Sequence, residues 1–205
     1  EECADFLIKD LADRLEKLFP GAFPIDFLIE ETQRQNTFID YHASFHIPRE
    51  KYFQILDQHV EGKSAPLVFY GEPGIGKSAL LANWVARFKE QNPGERIIFH
   101  STNVSTISGE RNFCFRRLMG ELKRQFDLQP EIPESHQNLR MDFSNWLHLA
   151  ASKGKLILII DGIEALTNLE NSEELPFPTL EMSENLRLVL STEEGPFLEH
   201  LRGLE

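Results

Sequence analysis

The feature that most constrains the fold of this 205-residue chain is the segment Gly-Glu-Pro-Gly-Ile-Gly-Lys-Ser at residues 71–78. It satisfies the phosphate-binding pattern G-x-x-x-x-G-K-[ST]. A short apolar run that suits a buried strand, Leu67 to Tyr70, precedes it, and residues 78–88, free of glycine and proline, favour a helix after it. Strand, glycine-rich loop and helix, in this order, are the context in which the pattern binds phosphate. The sequence therefore predicts a nucleoside triphosphate site, the alternative being a glycine-rich turn that only caps a helix.

Each part of the loop has a physical task. Its glycines allow positive φ angles and a close approach of the backbone, while its N–H groups and the dipole of the following helix attract phosphate. Lys77 is predicted to contact the β- and γ-phosphates and to assist catalysis, and the Ser78 hydroxyl to ligate Mg²⁺. The predicted nucleotide-binding residues are Gly71, Glu72, Pro73, Gly74, Ile75, Gly76, Lys77, Ser78, Ala79, Ser191 and Thr192.

Composition narrows the class of protein. With 41% hydrophobic and 26% charged residues the chain resembles an ordinary globular protein, and a net charge of −12 argues against a broad nucleic-acid or anionic membrane footprint. Cys3 and Cys114 lie far apart, which favours reduced thiols in the cytoplasm. The longest apolar run, residues 156–160, falls far short of the roughly 18 residues of a membrane span. Because no initiator methionine opens the chain, we expect a piece of a longer protein.

The first third of the chain predicts helices. Apolar residues recur with helical spacing over residues 4–19, a weaker pattern covers 26–40, and Pro48 suits the first turn of a third helix. That third helix would bury one face, made of Tyr52, Phe53, Leu56, His59 and Val60. We predict a helical lead-in over residues 1–62 and a nucleotide-binding core over residues 63–205.

The remaining segments predict an α/β fold. Residues 96–100, 156–160 and 186–190 form apolar runs typical of strands, and residues 111–126 and 137–151 carry helical periodicity. The run at 156–160 is apolar at every position, as in a central parallel strand buried on both faces. Alternating strands and helices predict a P-loop NTPase-like three-layer αβα domain with a mostly parallel sheet. Ligands bind such sheets at the carboxyl ends of the strands, where the loop, Asp161, Ser191 and Thr192 all lie.

Asp161 is the predicted magnesium-binding carboxylate. It ends the most apolar strand, and a buried carboxylate needs a partner, which we expect to be Mg²⁺ beside Ser78. An aspartate that merely caps a helix is the alternative. Glu164, three residues on, either activates the attacking water or complements a helix N-terminus. Ser191 and Thr192 either sense the γ-phosphate or simply finish a strand.

Three segments together resemble a known family. These are Gly71–Ser78, the stretch Leu-Ile-Leu-Ile-Ile-Asp-Gly-Ile-Glu at 156–164, and the strand end at Ser191 and Thr192. They are similar to the STAND class of signal-transduction P-loop NTPases, nearest to the nephrocystin-3 group and its relatives among telomerase-associated and NACHT–WD-repeat proteins. Residues 47–53 resemble the Gly-Arg-Glu segment before the NTPase core, with Pro48 where glycine is usual, and residues 10–20 resemble the lead-in helix.

The resemblance implies a multidomain switch that binds ATP or ADP with Mg²⁺. Its NTPase would lie between an N-terminal effector region and C-terminal repeats, and nucleotide state would control opening or self-association with protein partners. Two further departures from the family matter. Glu193 stands where several relatives carry arginine, and residues 195–205 show no fifth strand or lid. In addition, Gly162 stands where many ATPases carry a glutamate directly after the metal-binding aspartate. Slow hydrolysis is the expectation.

Three functions stay open at this point. The leading hypothesis is a regulatory ATP-binding module with slow turnover. A fast motor or transporter ATPase would need a glutamate beside Asp161 and an arginine finger supplied in trans. The third hypothesis is a protein-interaction scaffold that holds nucleotide without significant hydrolysis.

Overall fold

The structure, a computed structural model, describes residues 27–45, 49–62, 66–166 and 183–202. Its elements follow the predicted order of helices and strands, with a short 3₁₀ helix and a final helix that the sequence analysis did not predict. They are α1 Phe27–Ala43, α2 Glu50–Glu61, β1 Leu67–Tyr70, α3 Lys77–Gln91, β2 Arg96–Ser101, α4 Arg111–Phe126, α5 His136–Lys153, β3 Leu156–Asp161, a short 3₁₀ helix Ile163–Leu166, β4 Leu186–Thr192 and α6 Pro196–Arg202.

In the part of the chain that the structure describes, four parallel strands form one sheet in the order β1-β4-β3-β2. The strand that ends in Asp161 is therefore central, and β4 separates it from the strand of the phosphate loop. The register aligns the strand ends, because Tyr70 pairs with Thr192 and Ser101 pairs with Asp161. The carboxyl ends of all four strands consequently meet at one edge of the sheet.

Alternating side chains of the strands build two hydrophobic cores, one on each face. Ile157, Ile159 and Val189 pack with α1, α2 and α3, whereas Leu158, Ile160 and Leu188 pack with α4, α5 and α6. All residues of β3 and β4 are buried. The predicted αβα architecture is confirmed, with helices on both faces of a parallel sheet.

The helices that precede the phosphate loop are packed against the sheet. Ile39 of α1 and Leu56 of α2 belong to the same hydrophobic cluster as Leu81 and Trp84 of α3. The Trp84 indole N–H also donates to Asp57 of α2 at 2.7 Å. Within the described residues, the second half of the predicted lead-in thus contributes to the core, and its boundary at residue 62 stays a prediction.

Several details differ from the expectations. Among the described strands β1 lies at an edge of the sheet, so Tyr70 is 52% exposed rather than buried, and Tyr52 on α2 is 43% exposed. α1 runs three residues further than predicted, α3 begins at Lys77, and Ser101 belongs to β2 instead of the following loop. The predicted helix at 4–19 and Pro48 lie outside the described residues. None of the helices within the described ranges is long and apolar enough to cross a membrane.

Candidate functional site

The phosphate loop joins the end of β1 to the start of α3. Gly74 and Gly76 adopt φ angles of 78° and 95°, in the left-handed region that favours glycine. At Gly76 a side chain would also meet the Arg49 guanidinium at 3.2 Å. The backbone N–H groups of the first turn of α3 are left for a ligand, because a helix cannot pair them internally. This end of the helix is therefore suited to an anion.

Two cations lie on the loop. The Lys77 ammonium donates to the carbonyl oxygens of Gly71 at 2.7 Å and Glu72 at 3.2 Å. The Arg49 guanidinium donates to the carbonyl of Ile75 at 2.9 Å. Neutral carbonyls are weaker partners for a cation than phosphate oxygens are. Lys77 is thus held at the loop by bonds that a bound phosphate would replace with stronger ones.

The carboxylate of Asp161 is buried at the end of β3, with only 1% of its surface exposed. Each of its oxygens accepts one serine hydroxyl. Ser191 of β4 donates to Oδ1 at 2.6 Å, and Ser101 of β2 donates to Oδ2 at 2.7 Å. The N–H of Gly162 donates to the Ser191 hydroxyl at 2.9 Å. The expectation that a metal is the partner of Asp161 was incomplete, because the two neighbouring strands supply hydroxyl partners.

Gly162 occupies a position where any side chain would be strained. Its φ is 79°, and a Cβ there would lie 2.4 Å from the Thr102 hydroxyl oxygen. The single proton of that hydroxyl is shared between the carbonyl of Gly162 at 2.9 Å and the carbonyl of Asp161 at 3.2 Å, which holds the side chain in place. A glutamate directly after Asp161 is therefore disfavoured by the backbone and by Thr102, which gives a physical reason for the departure noted in the sequence.

Glu164 lies on the 3₁₀ helix that follows Gly162. Burial raises the pKa of its carboxyl group, and the charges of Glu193 and Asp161 act in the same direction. Hydrogen bonds from its own backbone and from the Thr192 side chain act in the opposite direction. Thr192, which directly follows Ser191, therefore lies within hydrogen-bonding reach of Glu164, three residues after Asp161.

The structure brings the predicted residues to one edge of the sheet, although their roles stay predictions. The loop residues 71–79 follow β1, and Asp161, Ser191 and Thr192 end their strands at the same level. Sequence reasoning missed Ser101, Thr102 and Arg49. Ser101 carried a usable signal, because a polar residue directly after an apolar strand at 96–100 belongs to this edge. Arg49 lies in the stretch 47–53 that resembles the Gly-Arg-Glu segment, but its contact with the loop depends on how α2 packs.

The available donors fit a magnesium ion bound with nucleotide. Ser78 offers a hydroxyl and Asp161 a carboxylate, the hard oxygen ligands that Mg²⁺ prefers. The described ranges contain no cluster of three or more histidine, cysteine, aspartate or glutamate residues that could hold a metal. The remaining ligands of Mg²⁺ would then be phosphate oxygens and water, as is usual in phosphoryl-transfer sites.

Fold and site together define a P-loop NTPase-type α/β/α domain, which supports nucleotide binding. The profile of the family described as "AAA domain" matches residues 60–198, about two thirds of the sequence, and the chain belongs to that family.

Similar proteins are much longer than this chain. A TPR repeat-containing protein of Dictyostelium discoideum is 23% identical over 94% of the chain, which spans 16% of that protein. Nephrocystin-3 of Mus musculus is 28% identical over 79% of the chain and 12% of its own length. NACHT domain- and WD repeat-containing protein 1 of Homo sapiens is 26% identical over 67% of the chain and 9% of its own length. The chain thus spans less than a fifth of these relatives.

Proposed function

We propose that the chain is the ATP-binding regulatory module of a STAND-class protein of the cytoplasm, with slow hydrolysis and a conformation that depends on the bound nucleotide. The observation that carries the proposal is the alignment of the phosphate loop with Asp161 and Ser191 at one edge of a parallel sheet. Nephrocystin-3 and NACHT–WD-repeat proteins among the relatives support the choice of class.

The proposed roles follow from the chemistry of each group. Lys77 binds the β- and γ-phosphates, whereas Ser78 and Asp161 hold Mg²⁺, which neutralises charge on the phosphates when bound. Glu164 acts as the general base toward water. Its raised pKa makes it a better proton acceptor than an exposed carboxylate.

Slow turnover follows from the position of that base. Gly162 keeps an acid out of the position next to Asp161, and Glu164 reaches the site from the next turn of the chain. We therefore expect hydrolysis well below the median enzyme rate of about 10 s⁻¹. Slow turnover suits a module in which the bound nucleotide sets the conformation, because such a module does not use repeated hydrolysis to drive work. Partner binding and nucleotide-dependent self-association belong to the longer protein and are part of the proposal.

Nucleotide binding is tested with Lys77→Ala. We measure the affinity for Mg·ATP by fluorescence with a labelled analogue and expect a loss of about 10- to 100-fold, since a charge-assisted hydrogen bond contributes about 1.5–3 kcal/mol. Lys89→Ala removes an exposed lysine from the last turn of the same helix and is the matched control. Equal affinities of Lys77→Ala and the unmodified chain would overturn the proposal.

Hydrolysis is tested by following bound radiolabelled ATP over hours. We expect slow conversion to retained ADP, and we expect Glu164→Gln to stop the conversion without weakening binding. Label that stays as ATP in the unmodified chain would favour the scaffold that holds nucleotide without hydrolysis. Multiple turnovers near 10 s⁻¹ would favour a motor-type ATPase instead.

A further inference from the structure

We propose that Ser101 is a positioning residue for the Asp161 carboxylate, and that Gln35 of α1 holds Ser101 in place. The position of α1 against the edge of the sheet would then control Mg²⁺ binding at the phosphate loop. This inference rests on the proposed function, because it concerns the metal that accompanies the nucleotide.

The first link joins Ser101 to Asp161. The Ser101 hydroxyl donates to Asp161 Oδ2 at 2.7 Å, and Ser101 is fully buried. With Ser191 on the other oxygen, the carboxylate is fixed between two strands. Hydrogen bonds that orient a metal-binding carboxylate tune its affinity for the metal. Removal of one of them leaves the carboxylate free to rotate away from the orientation that the metal requires.

The second link joins Ser101 to α1. β2 is an edge strand of the described sheet, and the N–H of Thr102 faces β3, where it donates to the carbonyl of Asp161 at 3.0 Å. The N–H and carbonyl of Ser101 face the open edge instead. The Gln35 side chain pairs with both of them, accepting from the N–H at 2.8 Å and donating to the carbonyl at 2.9 Å. The amide side chain of Gln35 thus makes the two hydrogen bonds that a neighbouring strand would make with Ser101.

The third link fixes Gln35 itself. Its amide nitrogen also donates to Oε1 of Glu31, one turn earlier on α1, at 2.8 Å. Glu31 is 1% exposed and accepts the hydroxyls of Ser108 at 2.7 Å and Ser105 at 3.0 Å. Both serines belong to the loop that follows β2. The network therefore ties α1 to the strand end that orients Asp161 and to the loop after it.

This network makes the carboxylate sensitive to α1. If α1 shifts along the sheet edge, Gln35 cannot keep both bonds to Ser101, and the buried N–H and carbonyl lose their partners. An unsatisfied buried polar group costs about 1–3 kcal/mol, so the strand end would move with the helix. Asp161 Oδ2 would then lose the hydroxyl that orients it.

The test compares Mg²⁺ dependence across four variants of the chain. Ser101→Ala removes the hydroxyl, Ser101→Thr retains one, and Gln35→Met removes the amide at nearly constant volume. Thr32→Val is the matched control, since it removes a different α1 bond, from Thr32 to Glu121 at 3.1 Å. Binding of mant-labelled ATP is measured by fluorescence in EDTA and across a Mg²⁺ titration.

We expect Ser101→Ala to raise the half-saturating Mg²⁺ concentration about 10-fold, the lower end of the range for outer-shell partners of a metal. Gln35→Met should raise it at least threefold, whereas Ser101→Thr and Thr32→Val should stay within about twofold of the unmodified chain. Affinity in EDTA should be unchanged in all four. The inference is overturned if Ser101→Ala leaves the Mg²⁺ requirement unchanged, if threonine behaves like alanine, or if binding weakens equally with and without Mg²⁺.

A second readout needs no nucleotide and separates this inference from the proposed function. Amide hydrogen exchange at Thr102, whose N–H donates to the backbone carbonyl of Asp161, should be faster in Gln35→Met and unchanged in Thr32→Val. If the unmodified chain binds no nucleotide, the proposed function fails, while faster exchange at Thr102 still supports the coupling. Equal exchange in the two variants overturns the coupling whatever nucleotide does. Should Gln35→Met fail to fold, the Ser101→Ala and Ser101→Thr pair decides.

Discussion

At the scale of single residues, the site is built from short polar side chains that take the place of water around buried groups. Asp161 is almost fully buried, yet both of its oxygens accept serine hydroxyls. Thr102 acts in the same way on the backbone, since its hydroxyl proton is shared between the carbonyls of Asp161, the last residue of β3, and Gly162. A buried carboxylate without such donors would be costly. The hydroxyls keep Asp161 in place before any ligand arrives.

The close fit around Gly162 gives a residue-scale prediction. Gly162→Ala should lower the free energy of unfolding by about 2–3 kcal/mol, because a non-glycine residue is strained at φ 79° and its Cβ would overlap the Thr102 hydroxyl. Urea unfolding followed by circular dichroism measures this. Gly94→Ala, at an open turn position where a Cβ has no neighbour within 4 Å, should change the value by less than about 0.5 kcal/mol.

The double variant Thr102→Ala, Gly162→Ala separates the two causes of that loss. Removal of the hydroxyl relieves the overlap but not the backbone strain. The added cost of Gly162→Ala should therefore be smaller in the Thr102→Ala background. An equal cost in both backgrounds would show that the overlap contributes nothing.

At the scale of elements, the ends of the helices follow from local chemistry. α3 begins next to Gly76, whose left-handed conformation turns the chain from the loop into the helix. The N-cap of α5 is Ser135, whose hydroxyl accepts the N–H of Asn138 at 3.2 Å. Such a cap satisfies one of the N–H groups that a helix cannot pair internally. Inside the fold, α4 and α5 are joined by the stacked rings of Phe115 and Phe143, 4.5 Å apart.

The cap of α5 gives an element-scale prediction. Ser135→Ala should cost about 1 kcal/mol of unfolding free energy, and Ser135→Asp should restore most of it, because aspartate also accepts from the N–H of Asn138. Urea midpoints provide the measurement. Ser152→Ala removes an exposed hydroxyl from the other end of the same helix and serves as the control. A Ser135→Ala midpoint equal to that of the control would contradict the role of the cap.

At the scale of the whole molecule, two buried histidines link stability to pH. Burial, together with the Arg117 charge, lowers the pKa of His100 from 6.5 to about 4. The contacts of its ring explain the direction, because Nε2 donates to the Ser108 carbonyl while Nδ1 accepts from Arg117. A second proton on Nδ1 would face that guanidinium. Burial likewise lowers the pKa of His59.

In the unfolded chain these two histidines therefore bind protons at pH values at which they remain unprotonated in the folded chain. Stability should fall as pH drops below 6.5, and His100 alone should account for about 2 kcal/mol between pH 7.5 and 5. Hydrogen bonds lower the pKa values of Glu31 and Glu121 despite their burial, so their contributions are lost only below the ordinary value of 4.5. Glu164, whose pKa is raised, opposes the trend by gaining stability as pH falls.

Urea unfolding of the unmodified chain and of His100→Gln, each at pH 7.5 and at pH 5, measures this loss of stability. The variant should show a smaller loss of stability on acidification, whatever its stability at pH 7.5. His148→Gln, at an exposed position on α5, should keep the full loss. If His100→Gln lost as much stability on acidification as the unmodified chain, groups other than His100 would carry the pH dependence.

The sequence by itself determined the elements, because their signals are local. The loop pattern at 71–78, the uninterrupted apolar run before Asp161 and the periodicities of α4 and α5 each lie within a few neighbouring positions. Parallel pairing and the convergence of strand ends followed from these signals, since strands that alternate with helices in this class of fold run the same way.

Only the tertiary structure decided which strands are neighbours and what touches Asp161. The order β1-β4-β3-β2 places Ser191 on one side of Asp161 and Ser101 on the other, at separations of 30 and 60 residues. It also leaves the end of β2 open to Gln35, 66 residues before Ser101 in the chain. Contacts of this kind depend on how whole elements pack, and packing depends on the shapes of distant side chains that no local pattern encodes.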